Sequence, residues 1–250
     1  MRLEDDRFRN QAGLLDPEKL AATSFLVIGA GAIGSFYVMT LAKMGAKHIA
    51  VMDHDKLEDH NLANQMFPEY LIGKPKVEAL SEVCDTFGSM RPTQYNGDFD
   101  ESTGARIDLG IFDVIVSCVD NMDVRKTIYS AVKHRTSGLF IEGRMGAQVY
   151  RAYAVKLGNK AEMDYYEKEW YPQSEATPDR CTQKSIIYTV LQVVGAMLSM
   201  TKRYLAEETV PVEVIYDCLN DTLSKKVLTQ AEFKVIDASG VEDESGLVEA

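Results

Sequence analysis

A doubly wound α/β fold, with a mainly parallel sheet, is expected from this chain on three observations. Short apolar runs alternate with stretches of helical periodicity through the first 145 or so residues. The first run stops at a glycine-rich turn that opens a helix, and the second stops at an aspartate. Buried parallel strands read as continuous apolar runs, and their alternation with helices predicts a sheet covered on both faces.

The elements follow in order. Ser24–Gly29 (SFLVIG) reads as the first strand, and Ala32–Met44 as a helix with Ile33, Tyr37, Leu41 and Met44 on one face. His48–Met52 is a second strand, ending at Asp53. Pro75–Phe87 is a helix with proline in its first turn, where the missing N–H costs nothing. Ile111–Val119 (IFDVIVSCV) is a third buried strand, followed by a helix carrying Val124, Ile128 and Val132, and Leu139–Ile141 continues the alternation.

After Gly146 the pattern changes. Gln148–Val155 reads as a longer, partly exposed strand. The aromatic, charged stretch MDYYEKEWYPQSEATPDR, with two prolines, reads as a surface crossover loop. Thr182–Leu205 is the longest helical pattern, with Ile186, Val190, Val194, Met197 and Leu198 at helical spacing, and Pro211–Tyr216 is one more strand. The C-terminal part therefore adds antiparallel strands and a long helix. The end, GVEDESGLVEA, holds four acids and no base and is expected to be a disordered tail. The expected organisation is one domain over residues 1–240, with an N-terminal arm (1–20), a nucleotide-binding half (21–145) and a crossover loop and C-terminal half (146–230). An acidic tail (240–250) completes it.

Bulk composition narrows the function classes. The 250 residues are 46% hydrophobic, enough for one sizeable core. A formal charge of −11, from 27 basic and 38 acidic residues, argues against a general nucleic-acid binder. Cys84, Cys118, Cys181 and Cys218 are scattered without a CxxC pair, so neither a disulfide framework nor a structural zinc is expected. The opening MRLEDDRFRNQ is polar and mixed in charge, unlike a signal peptide, and no apolar run is long enough to span a bilayer. A cytoplasmic protein is the expectation.

The chemistry begins at Gly29-x-Gly31-x-x-Gly34, placed after a strand and opening a helix. The first glycine permits a tight turn, the second lets a phosphate approach the backbone, and the third permits close helix packing. The helix N-terminus offers unpaired N–H groups and partial positive charge to that phosphate. Asp53, at the end of the second strand, stands at the usual distance for a carboxylate that grips a ribose hydroxyl. Alone, this constellation says Rossmann-like nucleotide binder, and an NAD-dependent dehydrogenase would satisfy it.

More motifs follow. Asp53-His-Asp55 leads to Asn61-Leu62-Ala63-Asn64-Gln65, then Gly73-Lys74-Pro75-Lys76, then Asp120-Asn121 at a strand end with Arg125 in the next helix. Here the chain resembles the ThiF/MoeB family of ubiquitin-activating-enzyme-like adenylyltransferases. That family reads G-x-G-x-x-G-S, D-x-D, N-L-x-R-Q, G-x-x-K and D-N-x-x-x-R in the same order at similar spacing. The resemblance is strong over about residues 7–145 and looser beyond.

The resemblance implies ATP- and magnesium-dependent adenylation of the C-terminal carboxylate of a small ubiquitin-like or sulfur-carrier protein. It implies that Asp53 holds the ribose and that Asn61, Gln65 and Lys76 line the phosphates, Lys76 as a point charge. Asp120 would bind magnesium, with Asp55 assisting, as suits a hard cation. Ser35 would cap the glycine turn. It further implies a homodimer, and a conjugating enzyme or sulfurtransferase as a further partner. Each residue also has a plain reading: Asp120 and Asn121 as helix caps, Lys76 as a solvated lysine, Asp55 as a turn acid, Ser35 as a small residue in the first helical turn.

Two departures bear on rate. Asn64 stands where the family writes arginine, and Arg7-Phe8-Arg9-Asn10-Gln11 displaces by one an arginine the family often carries near its start. Arginines stabilise charge that spreads over a polyphosphate. The resemblance implies that Arg7 or Arg9, reaching across a homodimer interface, compensates in part; Arg144 in Gly143-Arg144-Met145-Gly146, at the ligand end of a strand, is another candidate substitute, with a surface salt bridge as its plain reading. A catalytically weak nucleotide-binding subunit or scaffold is accordingly one alternative, and a relative acting on a non-protein carboxylate or a tRNA base another.

Cys181 closes a polar, proline-containing loop and precedes the long helix, where a thiol has a lowered pKa. Its placement resembles the thioester-forming cysteine of compact activating enzymes; a cysteine that merely starts a helix is the plain reading. Cys118, inside a buried strand, is expected to be inert.

Overall fold

The computed structural model describes residues 7–175 and 186–228. They build one eight-stranded sheet in the order β3-β2-β1-β4-β5-β6-β7-β8. The strands are β1 (Ser24–Ile28), β2 (His48–Asp53), β3 (Thr93–Asn96), β4 (Val114–Ser117), β5 (Leu139–Gly146), β6 (Val149–Lys156), β7 (Glu213–Asp217) and β8 (Thr222–Lys226). The first five pair in parallel, and β5 to β8 pair antiparallel. Strand order reverses at β1: the chain runs outward to β2 and β3, then returns to place β4 on the other side. Ligands bind in such sheets at the carboxyl ends of the strands flanking that switch point.

The helices are α1 (Pro17–Ala22), α2 (Ala32–Met44), α3 (Lys76–Gly88), α4 (Thr103–Arg106), α5 (Met122–Val132), α6 (Lys160–Lys168) and α7 (Ile187–Leu205). Period-two alternation sends successive strand residues to opposite faces. Phe25, Val27, Ile49, Val51, Val116 and Ile141 pack on the face covered by α2, α3 and α7. Leu26, Ile28, Ala50, Met52, Ile115 and Phe140 pack on the face covered by α5 and α6. Each fully buried side chain of this size contributes about 1.5–3 kcal/mol. No helix among the described residues is long and apolar enough to cross a membrane.

The mainly parallel sheet with an antiparallel C-terminal part is the architecture the motif pattern predicts. Several boundaries differ. The run Ile111–Val119 yields only four strand residues, because Asp108 accepts the Gly110 N–H and turns Leu109–Ile111 into a 3-10 turn. The strand begun at Leu139 instead continues to Gly146, so Arg144 lies within β5 rather than after it. The stretch read as a crossover loop contains α6: Asn159 accepts from Ala161 and Glu162 N–H to cap it, and Tyr166 is fully buried. Ile186 is extended, so α7 starts at Ile187; the expected helical residues 182–185 lie outside the described residues, as does the acidic tail. Strands β3 and β8 and helices α1 and α4 are additions.

Candidate active site

The glycine turn is built by close contact. Gly29 has φ +95°, and a β-carbon there would stand 2.8 Å from the carbonyl carbon and oxygen of Cys118, so the turn after β1 presses on the backbone leaving β4. On Gly34 a β-carbon would fall 1.8 Å from the Gly29 carbonyl oxygen. The protein's own packing therefore demands the first and third glycines. Gly31 is different: a β-carbon there would meet nothing within 4 Å. It is the N-cap of α2 and supplies no side-chain cap. The first N–H groups of α2 have no partner within the helix, an arrangement that suits a phosphate.

Asp53 ties this turn to the end of β2. One carboxylate oxygen accepts the Ala30 N–H (2.6 Å) and the other the Asp55 N–H (2.8 Å). Each oxygen keeps a lone pair for a further donor, such as a ribose hydroxyl. Lys76, at the start of α3, is buried, and its ammonium lies 2.6 Å from Asp55 Oδ2. Partial burial pushes the Asp55 carboxyl up, but the hydrogen bond and charge of Lys76, with His54 behind them, outweigh it and hold the group below its ordinary value. His54 Nε2 lies 3.0 Å from Asp55 Oδ1, and its Nδ1 lies 2.8 Å from Asp98 Oδ1. Asp53, His54 and Asp55 also bring three potential metal-ligand atoms within 4.8 Å of one another.

The Asn61–Gln65 loop packs against the first turn of α2. Ser35 is fully buried, and its hydroxyl accepts the Met66 N–H at 3.0 Å, so it fastens this loop beside the glycine turn. The Asn61 carboxamide oxygen accepts the Glu58 N–H at 3.0 Å in a capping box, leaving its NH2 to donate elsewhere. One buried carboxamide atom of Gln65, placed as Oε1, has no partner. Such an orphan is uncommon in a finished interior and fits a place where a ligand completes the bonding.

Past β4, Asn121 is the residue that caps α5, accepting from Asp123 and Val124 N–H at 2.9 and 3.1 Å. Asp120 is exposed, and its carboxylate takes no hydrogen bond or ion pair from the described residues. An exposed, unpaired carboxylate beside the glycine turn has the chemistry of a magnesium ligand, a hard oxygen donor. Gln173 Oε1 accepts the Met122 N–H at 2.8 Å, bringing the chain that leads toward Cys181 onto the start of α5.

A sequence model of the ThiF family matches residues 6–230 of this chain. The chain belongs to the ThiF family. It is 34% identical over 111 residues to the adenylyltransferase and sulfurtransferase MOCS3 of Arabidopsis thaliana, a match covering 44% of this chain and 24% of that protein. It is 27% identical over 119 residues to the molybdopterin-synthase adenylyltransferase of Haemophilus influenzae, covering 47% and 49%. These matches thus span half or less of the relatives' own lengths. The fold matches that of E. coli MccB, in a crystal structure with AMPCPP and MccA, with a TM-score of 0.71 and 15% identity. That match covers 90% of this chain and 72% of MccB.

Within the family frame, the arm of Arg9 lies away from the glycine turn, and the Arg144 guanidinium is held by partners of its own. Phe8 packs on Gly45, and the Gln11 carboxamide donates to the Met44 carbonyl, so the arm carrying Arg9 sits at the C-terminal end of α2. That helix has 13 residues, which places Arg9 about 20 Å from the glycine-turn end of the same helix. Arg144 is buried and not a surface salt bridge. Its guanidinium pairs with Glu142, donates to the Glu169 carbonyl at 3.0 Å and lies 4.7 Å from the centre of the Tyr153 ring. Arg125, the arginine of the D-N-x-x-x-R motif, pairs with the same Glu142 at 2.8 Å and donates to the Gly143 carbonyl. It therefore ties α5 to β5 where Gly143 packs against Ile33 of the glycine motif.

Of the thiols, Cys181 lies outside the described residues. Burial pushes the Cys84 and Cys118 thiols up to about 12, so both stay protonated at neutral pH. Cys218 hydrogen bonds Gln192 Oε1 at 2.9 Å. Sequence does not mark His54, Glu142 or Gln173: Glu142 and Gln173 take their roles from Arg125 and Met122, distant in the chain, and His54 takes part of its role from Asp98.

Proposed function

We propose that this chain is an ATP- and magnesium-dependent adenylyltransferase, acting in the cytoplasm on the C-terminal carboxylate of a small ubiquitin-like or sulfur-carrier protein. The observation that carries the proposal is the open space over Gly31 at an uncapped helix N-terminus, combined with buried Lys76 close by in the motif order. A dinucleotide enzyme has no use for such a lysine. Asp53 would hold the ribose; Asn61, Gln65 and Lys76 would line the polyphosphate. Asp120 would hold magnesium, whose charge neutralises the phosphates.

The carrier's carboxylate oxygen attacks the α-phosphorus of ATP. The bond to the bridging oxygen breaks, pyrophosphate leaves, and an acyl-adenylate remains. The α2 N–H groups and Lys76 favour this step by stabilising charge that shifts onto the leaving phosphates. Cys181 then attacks the acyl carbon as thiolate, forming a thioester and releasing AMP.

Relatives named as adenylyltransferases support the first reaction. The experiment is carrier-dependent exchange of labelled pyrophosphate into ATP. Wild type should exchange and Asp120→Ala should not, while both melt alike. NAD binding tighter than ATP binding overturns the reading. Asn64, in place of the usual arginine, favours a second reading as a catalytically weak nucleotide-binding subunit. Tight ATP binding without exchange, with every candidate carrier, would select it.

A further inference from the structure

Six buried side-chain polar atoms among the described residues have no hydrogen-bond partner, and two of them, Arg144 Nη2 and Trp170 Nε1, can only donate. The two belong to one place. Arg144 Nη1 donates at 3.0 Å to the carbonyl of Glu169, the peptide link that leads into Trp170. The guanidinium carbon lies 5.8 Å from the centres of the Tyr166 and Tyr171 rings, and Trp170 meets Tyr166 edge to face at 5.6 Å. Arg144 is 8% exposed, so its idle N–H is cut off from water as well as from protein acceptors. Such an orphan is costly, most of all on a charged group, and finished interiors hold few. Charge is out of balance at the same place. Glu142 is one anion between two guanidiniums, Arg125 and Arg144, while Arg151 on the neighbouring strand takes Glu169 and Glu213 as its own acids. The buried group around Glu142 therefore keeps one positive charge in excess and one open N–H on a cation that carries it.

We infer that this place receives the terminal carboxylate of the peptide tail to be activated, on Arg144 Nη2 and the Trp170 indole N–H. The inference rests on the reading that the chain adenylates such a carboxylate. A carboxylate matches both deficits: its oxygens take two donors, and its charge offsets the excess. A neutral amide could accept the N–H groups but would leave the buried charge unmatched. The position suits the chemistry. Gly143, next to Arg144, packs on Ile33 in the first turn of α2, the turn assigned to the nucleotide phosphate. Strand residues alternate between faces, so Arg144 looks to the α6 side, and the two substrates meet from opposite faces at the strand ends. One carboxylate oxygen stays with Arg144 and becomes the carbonyl oxygen of the acyl-adenylate, while the other bonds to phosphorus. Segment 169–173 is fastened at Glu169 to Arg144 and at Gln173 to the Met122 N–H, and it carries Trp170. Entry of a tail beside Arg144 therefore moves the indole.

The experiment titrates the full chain with N-acetylglycine, a minimal peptide C-terminus, and with neutral N-acetylglycinamide, following the emission of Trp170, the chain's single tryptophan. The carboxylate should perturb emission at a concentration about tenfold or more below that of the amide, the lower end for a hydrogen bond to a charged group. Equal responses, or none to either probe, overturn the inference. Arg144→Lys keeps the charge but loses the planar fork and should abolish the preference; a preference kept in full would assign it to another cation and overturn the inference as well. Where that variant does not fold, Trp170→Phe decides, because it keeps the ring contacts and removes only the N–H. Its melting temperature should not fall, since an orphan donor is gone, while broadening of the N-acetylglycine methyl signal in proton NMR should need about threefold more probe. Unchanged probe binding in Trp170→Phe would make the indole an ordinary core ring, against the inference. Wild type that exchanges pyrophosphate but shows no carboxylate preference sinks this inference and leaves adenylation standing, whereas wild type that prefers the carboxylate but binds no ATP sinks the adenylation reading.

Discussion

The carbonyl oxygen of Gly29 occupies the place where a β-carbon on Gly34 would stand, at 1.8 Å. Two glycines five residues apart are therefore locked together, and they bring α2 close enough to β1 for its N-terminus to face the switch point. Gly31, between them, has no such constraint.

A paired experiment follows from this contrast. Gly34→Ala should destabilise the fold, because backbone rather than a flexible side chain must move; overpacking of this kind costs about 1–3 kcal/mol or more. Gly31→Ala should melt like wild type but lose ATP affinity, since the added methyl takes space left for phosphate. Thermal melts and ATP titration check both. Equal melting losses in the two variants would remove the distinction.

Glu142 is fully buried between two guanidiniums, Arg125 and Arg144, with Tyr166 also donating to it. Burial pushes its carboxyl up, but the two arginines and their hydrogen bonds prevail and hold it below the ordinary carboxylate range. A group depressed on folding adds stability above its unfolded value, and that stability is lost as pH falls through the folded value. Stability should therefore fall in acid as Glu142 protonates, and Glu142→Gln should flatten that part of the profile. At neutral pH the variant should lose about 3–5 kcal/mol, because both cations stay buried without their anion. Denaturant melts from pH 7 down to pH 3 measure both effects.

The parts of this molecule legible in sequence are those fixed by local pattern. Apolar runs gave β1, β2 and β4, and Ala32–Met44 matches α2 residue for residue, because its glycine start and its Gly45 end are both local signals. Strand β5 was cut short at Ile141 because Glu142 and Arg144 look like exposed charges; burial is possible only through Arg125 and Tyr166, which no local window contains. Helix α6 was hidden for the same reason, its buried Tyr166 standing among charged neighbours. Strands β3 and β8 are short, polar and mostly exposed, so they lack any apolar pattern to read. At the candidate site, ordered motifs single out Asp53, Lys76 and Asp120, whereas the contact of His54 with Asp98, forty-four positions away, has no local signal.

Arg9 lies at the wrong end of α2 for its own glycine turn. If it serves catalysis, it does so in a partner's site, within a homodimer. Sedimentation should show twice the chain mass, and subunit mixing should show the direction of donation. Arg9→Ala and Asp120→Ala should each be inactive alone. In a mixed dimer, one site joins an intact Asp120 to an intact Arg9 from the other subunit, so random mixing should restore about one quarter of wild-type pyrophosphate exchange. No recovery on mixing, with exchange of subunits verified, would exclude a donated arginine.

The final prediction concerns the thiol that completes the proposed sequence. Cys84 and Cys118 are held protonated by burial, and Cys218 engages Gln192, so Cys181 is the thiol left for chemistry by these arguments. Gln173 is fastened to the Met122 N–H, one residue past Asn121 and two past Asp120. From there to Cys181 the chain has eight residues, an extended reach of at most about 29 Å, which is ample to bring a thiol to an adenylate formed at the strand ends. Arg180 and Lys184 flank Cys181 in sequence and would favour its thiolate. Incubation with carrier, ATP and magnesium should give a carrier-linked band on non-reducing gels that thiol treatment removes, and Cys181→Ala should lack the band while retaining pyrophosphate exchange. Loss of exchange as well would make Cys181 part of adenylation rather than of acyl transfer. A band that persists in Cys181→Ala would move the thioester to another cysteine, and wild type that exchanges pyrophosphate without ever forming the band would end the reaction at the adenylate.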